Sequence, residues 1–219
     1  MNNIFTGLVE EIGKVLSITN GDRSVQLKIQ CEKVLENAKL GDSIATNGTC
    51  LTAIEIGENY FIADCMHETI KRTNLKRLKS GSSVNLEKSI TLSTPLGGHL
   101  VTGDVDCEGN IVFIKKDGIA KIYTIAIEPR FMKYIVEKGR ISIDGASLSI
   151  IGYNKNTFSV SLIPHTQEKI ILGEKEVGDY VNIETDLIGK HIERLLNFKD
   201  NEEEKSKIDI NFLSKYGFF

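Results

Sequence analysis

The sequence predicts an all-β protein: two tandem barrels of about six strands each, followed by one C-terminal helix. Three observations carry this. First, the chain repeats itself, with Phe61–Thr69 (FIADCMHET) matching Phe158–Thr166 (FSVSLIPHT) 97 positions later. The same spacing sets Asn47-Gly48-Thr49-Cys50-Leu51-Thr52 over Asp144-Gly145-Ala146-Ser147-Leu148-Ser149. It also sets Gly81, Val84, Asn85 and Glu87 over Gly178, Val181, Asn182 and Glu184, and near the start Thr6-Gly7 matches Thr102-Gly103 with the spacing one shorter. Blocks in one order at a nearly constant spacing mark a duplicated domain, since each unit is too long for a solenoid repeat. Second, short runs alternate polar and apolar side chains with the period of a strand. Third, glycines at 13, 21, 41, 48, 57 and 81 leave room only for short segments between turns.

Taken in order, Ser24–Gln30 (SVQLKIQ) is a half-buried strand, and Ile122–Glu128 turns Tyr123, Ile125 and Ile127 to one face. Val84–Glu87 and Val181–Glu184 alternate in the same way. One or two helical turns interrupt each unit, where Val34, Leu35 and Ala38, and their mates Phe131, Met132 and Ile135, share a helical face. Closing such sheets into barrels removes exposed strand edges. The expected division is residues 1–97, residues 98–186 and a C-terminal helix and tail, 187–219. Asp186 is a good N-cap, and Ile188, Ile192, Leu195 and Leu196 follow as a narrow apolar stripe that either packs back on its own barrels or pairs with copies of itself. Lys199–Lys207 reads as a polar extension or linker, and Ile208–Phe219 is apolar again.

Composition excludes several classes. The hydrophobic fraction of 41%, with 19 glycines besides, is that of a globular chain. With 27 basic against 30 acidic residues the net charge is −3, which is no footprint for nucleic acid. No apolar run is long enough for a membrane helix, and the N-terminus lacks a signal peptide's basic start, so a cytoplasmic protein is expected. Cys31, Cys50, Cys65 and Cys107 form no CxxC pair, and His67, His99, His165 and His191 have no second ligand at helical spacing. No metal site is expected, and the cysteines read as small buried side chains.

Six motifs then carry a resemblance. They are Phe5-Thr6-Gly7-Leu8-Val9-Glu10, Asn47–Thr52, Met66-His67-Glu68-Thr69, Gly97-Gly98-His99-Leu100-Val101-Thr102-Gly103, Asp144–Ser149 and Asp186-Leu187-Ile188-Gly189-Lys190. In unbroken order from residue 4 to about 196, with Phe212-Leu213-Ser214 beyond, the chain resembles the riboflavin synthases. The resemblance implies two six-stranded Greek-key barrels and a C-terminal helix that assembles a homotrimer. It implies the dismutation of two molecules of 6,7-dimethyl-8-ribityllumazine to riboflavin and 5-amino-6-ribitylaminouracil, with no cofactor. The working site would lie between the N-terminal barrel of one subunit and the C-terminal barrel of its neighbour, with lumazine synthase as a further candidate partner.

Carried over motif by motif, the N-barrel pocket would use Gly7, Leu8 and Val9, Cys50, Leu51 and Thr52, and a strand running through Asp64, Cys65, Met66, His67, Glu68 and Thr69. The C-barrel pocket would use Gly103, Asp104 and Val105, Ser147, Leu148 and Ser149, and Ser161, Leu162, Ile163, Pro164, His165 and Thr166, with Lys138 and Asp186 nearby. Strand amides and hydroxyls suit the donor–acceptor edge of a pteridine dione. Phe5 reads as an aromatic lid over the N-barrel site or as simple core. Ser43, Cys50, His99 and Asp104 are the catalytic candidates. Against them stand a turn serine, a packing thiol and a histidine that locks a strand end. Asp104 is a departure, because the resembling enzymes have a histidine there. Two further readings stay open: a non-catalytic lumazine- or flavin-binding antenna protein, and a double-barrel interaction protein.

Overall fold

The computed structural model describes residues 4–22 and 24–205, with side chains as far as Phe198. The N-terminal barrel comprises β1 (Glu11–Asn20), β2 (Ser24–Gln30), β3 (Ser43–Thr46), β4 (Thr49–Ile56), β5 (Tyr60–Met66) and β6 (Ser83–Lys88). The second comprises β7 (Cys107–Asp117), β8 (Ala120–Ala126), β9 (Arg140–Ile143), β10 (Ala146–Tyr153), β11 (Thr157–Leu162) and β12 (Tyr180–Thr185). Both sheets close, in the orders β1-β2-β5-β4-β3-β6 and β10-β11-β8-β7-β12-β9. These are the same order once each strand is exchanged for its repeat mate, so the expected double barrel is what forms.

Alternation builds each core. Val25, Leu27 and Ile29 of β2 turn inward onto Phe61 and Leu86, and Tyr123 and Ile125 of β8 turn inward onto Phe158 and Ile183. Single 3-10 segments occupy the expected interruptions, at Lys33–Leu35 and Pro129–Tyr134. Two helical caps were not expected. β5 stops at Met66, and α1 (His67–Arg72) runs on into a 3-10 turn at Asn74–Arg77. In the second barrel β11 stops at Leu162, followed by α2 (Pro164–Lys169) and a turn at Ile171–Glu174. The strands expected to reach Thr69 and Thr166 are therefore shorter. Pro164 fixes the φ of the first helical residue, and the caps drive Leu75 and Leu172 into the barrel ends.

A second difference is energetic. On β6 and β12 both faces are buried: Val84 and Leu86 face the core, while Asn85 and Glu87 are buried on the other side, as are Asn182 and Glu184. Over Asn85 and Asn182 the covering surface is the other barrel, and the bonds of this seam come in matched pairs, the first pair within each barrel and the next two pairs between the barrels. The Asn85 amide donates to Asn47 Oδ1 at 2.9 Å, and that of Asn182 to Asp144 Oδ1 at 2.7 Å. Asn85 Nδ2 donates to the Asp144 carbonyl and Asn182 Nδ2 to the Asn47 carbonyl, both at 2.8 Å. Ile171 and Asn74 then donate their amides to the side-chain oxygens of Asn85 and Asn182. With these bonds made and Asp144 Oδ2 left to an ion pair with Lys175, the buried polar seam specifies one mutual orientation, because slippage would strand several desolvated groups at about 1–3 kcal/mol each.

The seam is unequal at one place. Asn47 has Asp144 as its mate, which is wholly buried and accepts from Asn74 Nδ2 at 2.6 Å. Burial pushes the Asp144 carboxyl upward, and Lys175, 3.7 Å away, opposes that shift.

The third element is α3 (Leu187–Lys205). Its backbone takes in most of the polar stretch expected as an extension or linker. Ile188, Ile192, Leu195, Leu196 and Phe198 on it are each more than half exposed. The motif Phe212-Leu213-Ser214 and the segment Ile208–Phe219 lie outside the described residues. Among the described residues no helix is long and apolar enough to cross a membrane.

Candidate functional site

The segments before β1 and β7 act as arms, and each crosses to the other barrel. Gly7, at φ +75°, accepts the Ser147 amide on its carbonyl at 2.8 Å, and Gly103, at φ +80°, accepts that of Cys50 at 3.0 Å. A Cβ on either glycine would fall 2.5–2.6 Å from the Cβ of Ser147 or Cys50, so only glycine fits. The expected grouping is thereby exchanged at the arms: Gly7 and Val9 border the C-barrel, and Gly103 and Asp104 border Cys50 of the N-barrel, while Leu8 lies beside Gly97. Val9 packs on the C-barrel core. Reading along the chain assigns each arm to the barrel that follows it, and only the tertiary structure carries it across.

Phe5 is placed by the same relation. It is fully buried with Ala45, Val101 and the half-buried Cys50, and it pairs with its own mate, Val101, through two backbone bonds of 2.7 and 3.1 Å. It is core between the barrels, not a lid over a pocket.

Around Cys50, β4 alternates. Leu51 points into the core while Cys50 and Thr52 face outward, Thr52 standing opposite Ser43 on β3 and Asp64 on β5. Cys65 also faces the core, where burial raises its thiol to about 11, whereas Asp64 and Met66 are exposed. His67, Glu68 and Thr69 lie on α1, with His67 against the Gly21 carbonyl and Glu68 paired to Arg72. The Cys50 thiol is raised first by burial and further by Asp104 and Glu184, while a hydrogen bond with Ser43 works the other way. A raised thiol stays protonated near neutral pH, which suits a weak donor beside a ligand better than a nucleophile.

The equivalent place on the C-barrel has different chemistry. Ser147 Oγ lies 2.7 Å from His99 Nδ1, and the His99 amide donates to the Thr6 carbonyl at 3.0 Å. Ser149 faces outward opposite Arg140, the mate of Ser43, while Leu148 and Leu162 face the core. Ser161 and Ile163 are exposed, and Pro164, His165 and Thr166 belong to α2. Lys138 is exposed in the turn before β9 at φ +64°, where the N-barrel has Gly41. The N-barrel candidates thus carry three acids (Asp64, Glu68, Asp104) beside His67, and the C-barrel candidates carry Lys138, His99 and His165 beside one acid, Asp186, with Arg140 next to them.

Burial holds His99 below its ordinary 6.5, the nearby Arg140 adds to this, and Asp186 opposes it. Between that depressed midpoint and 6.5 the unfolded chain binds the proton more readily. The His99 contribution to stability is therefore present above 6.5 and lost as pH falls through the window. An NMR titration should place the ring's midpoint below 6.5, and His99→Gln should flatten the acid side of a stability–pH curve.

A cavity of about 880 Å³ opens beside this region, walled by Thr6, Leu8, Leu40, Ser43, Glu87 and Pro95 among others. Of the sequence-derived candidates it takes in only Leu8 and Ser43. Glu87, at its wall, went unassigned in the sequence. The repeat singles out Glu87 and Glu184, but alternation with period two shows only that they share the face opposite the core. Burial raises the Glu87 carboxyl to about 7, against the pull of its bonds to Thr6 and Gly7.

Two related closed barrels, each bordered by an arm of the other, have the architecture of a tandem lumazine-binding protein. The family described as the lumazine binding domain matches the chain twice, over residues 6–89 and 102–186. Riboflavin synthase of Actinobacillus pleuropneumoniae is 43% identical, covering 98% of this chain and 100% of its own length. That of Bacillus subtilis is 42% identical with the same coverage. The chain belongs to the riboflavin synthase family. Among solved structures, LumP complexed with 6,7-dimethyl-8-(1'-D-ribityl) lumazine superposes with a TM-score of 0.74 at 25% identity, covering 83% of this chain and 98% of that one. LumP complexed with riboflavin gives 0.76 at 26% with the same coverage.

Proposed function

We infer that the chain catalyses the riboflavin synthase reaction, in which two molecules of 6,7-dimethyl-8-ribityllumazine yield riboflavin and 5-amino-6-ribitylaminouracil by transfer of a four-carbon unit. The observation that carries this is the duplication of a lumazine-binding barrel within one chain whose relatives match over nearly its whole length. A reaction between two copies of one molecule needs two similar sites, and holding both reactants in register supplies about 7–11 kcal/mol of the barrier. One copy gives and the other receives, so the two must also be treated differently. The surroundings of Cys50, richer in acids, and those of Ser147, richer in bases, supply that difference.

In this reading the outward residues bind the rings: Cys50, Thr52, Asp64 and Met66 on one barrel, and Ser147, Ser149, Ser161 and Ile163 on the other. Ser43 with Cys50, and His99 with Ser147, are hydrogen-bonded pairs able to hold or pass a proton at the ring edge. Asp104, exposed on the arm beside Cys50, accepts but cannot donate when ionised. The reading extends to a homotrimer in the cytoplasm, joined through α3, with the N-barrel of one protomer facing the C-barrel of the next. Lumazine synthase, as the supplier of the substrate, is the natural further partner.

The antenna reading is less well supported, because the LumP match leaves about a sixth of this chain without a counterpart, whereas the synthases cover 98% of it. The experiment is direct. Purified chain incubated with the lumazine alone should form one riboflavin for every two lumazines consumed, with the pyrimidine as co-product. Tight binding without turnover would overturn this reading in favour of an antenna.

A further inference from the structure

Glu87 and Glu184 are buried, acidic and outside the binding set, and each accepts hydrogen bonds on both oxygens. Glu87 Oε1 accepts the Thr6 amide at 2.6 Å and the Thr6 hydroxyl at 2.7 Å, and Oε2 accepts the Gly7 amide at 3.0 Å. Glu184 Oε1 accepts the Thr102 amide at 2.7 Å and hydroxyl at 2.9 Å, and Oε2 accepts the Gly103 amide at 3.0 Å. Each threonine hydroxyl in turn accepts an amide two residues on, from Leu8 at 3.1 Å and from Asp104 at 3.3 Å. A carboxylate is the one side chain that can satisfy three such donors at once, since an amide would turn an N–H toward them.

What these clamps hold is the crossing arm. From Glu87 the bonds lead through Gly7 to Ser147 and so to His99. From Glu184 they lead through Gly103 to Cys50 and so to Ser43. We propose that Glu87 and Glu184 are positioning residues that act crosswise: Glu87, on the N-barrel, seats the Ser147–His99 pair of the C-barrel, and Glu184, on the C-barrel, seats the Ser43–Cys50 pair of the N-barrel. The inference rests on the proposed reaction only for its effect on turnover; the crosswise seating is a property of the chain alone.

The test uses Glu87→Asp and Glu184→Asp in the full chain. Each keeps the carboxyl group and withdraws it by one methylene. Two local reporters separate the sites. Cys50 is the half-buried cysteine, whereas Cys31, Cys65 and Cys107 are buried, so alkylation followed by peptide mass analysis reports its seating. The NMR midpoint of His99 reports the other. Glu184→Asp should speed Cys50 labelling about threefold or more and leave His99 unmoved. Glu87→Asp should raise the His99 midpoint toward 6.5 and leave Cys50 labelling within about twofold. Both should lower kcat by about tenfold or more with a smaller change in KM, as expected of a displaced reacting group.

Equal effects on both reporters, or none on either, would overturn the proposal, because a merely structural glutamate has no reason to act across the seam. Should an Asp variant fail to fold, Thr6→Val and Thr102→Val remove one clamp bond each and must give the same crosswise pattern in smaller measure. A wild-type chain that turns over no lumazine but shows the crosswise pattern would sink the proposed reaction and keep this inference.

Discussion

A chain ending at Asp186 should still fold and bind the lumazine, while its turnover falls by about 100-fold or more, since a working site shared by two protomers, as proposed above, would lose the alignment of its reactants. The two barrels have complete cores of their own, together with the polar seam between them. The helix contributes something else. Ile188, Ile192 and Leu195 recur at i, i+4 and i+7 and are 61%, 51% and 66% exposed, a stripe that copies of the same helix can bury. Burying each such side chain contributes about 1.5–3 kcal/mol before ordering costs, enough when multiplied over three helices to hold an assembly. Sedimentation should show the full chain as a trimer and the shortened chain as a smaller species. If the shortened chain sedimented as a trimer with full turnover, α3 would not be the assembly element.

Gly48→Ala should be among the most destabilising single substitutions in the molecule. Asn47-Gly48 and Asp144-Gly145 are two-residue hairpin turns with positive φ at both positions, 47° and 72° in the first, 46° and 82° in the second. The turns meet back to back across the seam. A Cβ on Gly48 would lie 2.6 Å from the Gly145 nitrogen and 2.9 Å from its Cα, backbone atoms that cannot swing aside. The conformational penalty and the forced separation of the barrels together should cost at least about 3 kcal/mol, which is a fall in Tm of roughly 6–12 °C for a chain of this size. Gly81→Ala is the control: its φ is +89°, but nothing lies within 4 Å of the added Cβ. That variant isolates the conformational part, about 1–2 kcal/mol. If Gly48→Ala melted no lower than Gly81→Ala, the back-to-back contact would not be what holds the barrels in register.

The fold was legible in the sequence because its determinants are local. Alternation in Ser24–Gln30 and Ile122–Glu128, and the turn dipeptides Asn47-Gly48 and Asp144-Gly145, are short-range signals that a strand or hairpin cannot do without. Duplication then doubled each signal, and a barrel has few ways to close. The caps were less legible: Met66–Thr69 and Ile163–Thr166 are polar enough for a strand end or a first helical turn, and packing of Leu75 and Leu172 into the barrel ends decided for the helix. The candidate site was legible only as a set of positions. Cys50, Thr52, Ser147 and Ser149 follow from the repeat, but period two alone cannot tell solvent from a second barrel, so it gives no role to Asn85, Glu87, Asn182 and Glu184.

What the sequence determined by itself was therefore two barrels, their strand faces, their turns and the paired places where a ligand could sit. What only the tertiary structure decided was how the two halves complete each other. Gly7 belongs to the site of Ser147, Gly103 to that of Cys50, and Phe5 to the bridge with Val101. The reason is physical. Periodicity and turn chemistry act over a few residues, whereas an arm's destination depends on which distant carbonyls and amides remain unpaired once the barrels have closed, and the two repeats offer the arms nearly identical choices. Reciprocal burial of the polar seam settles that choice.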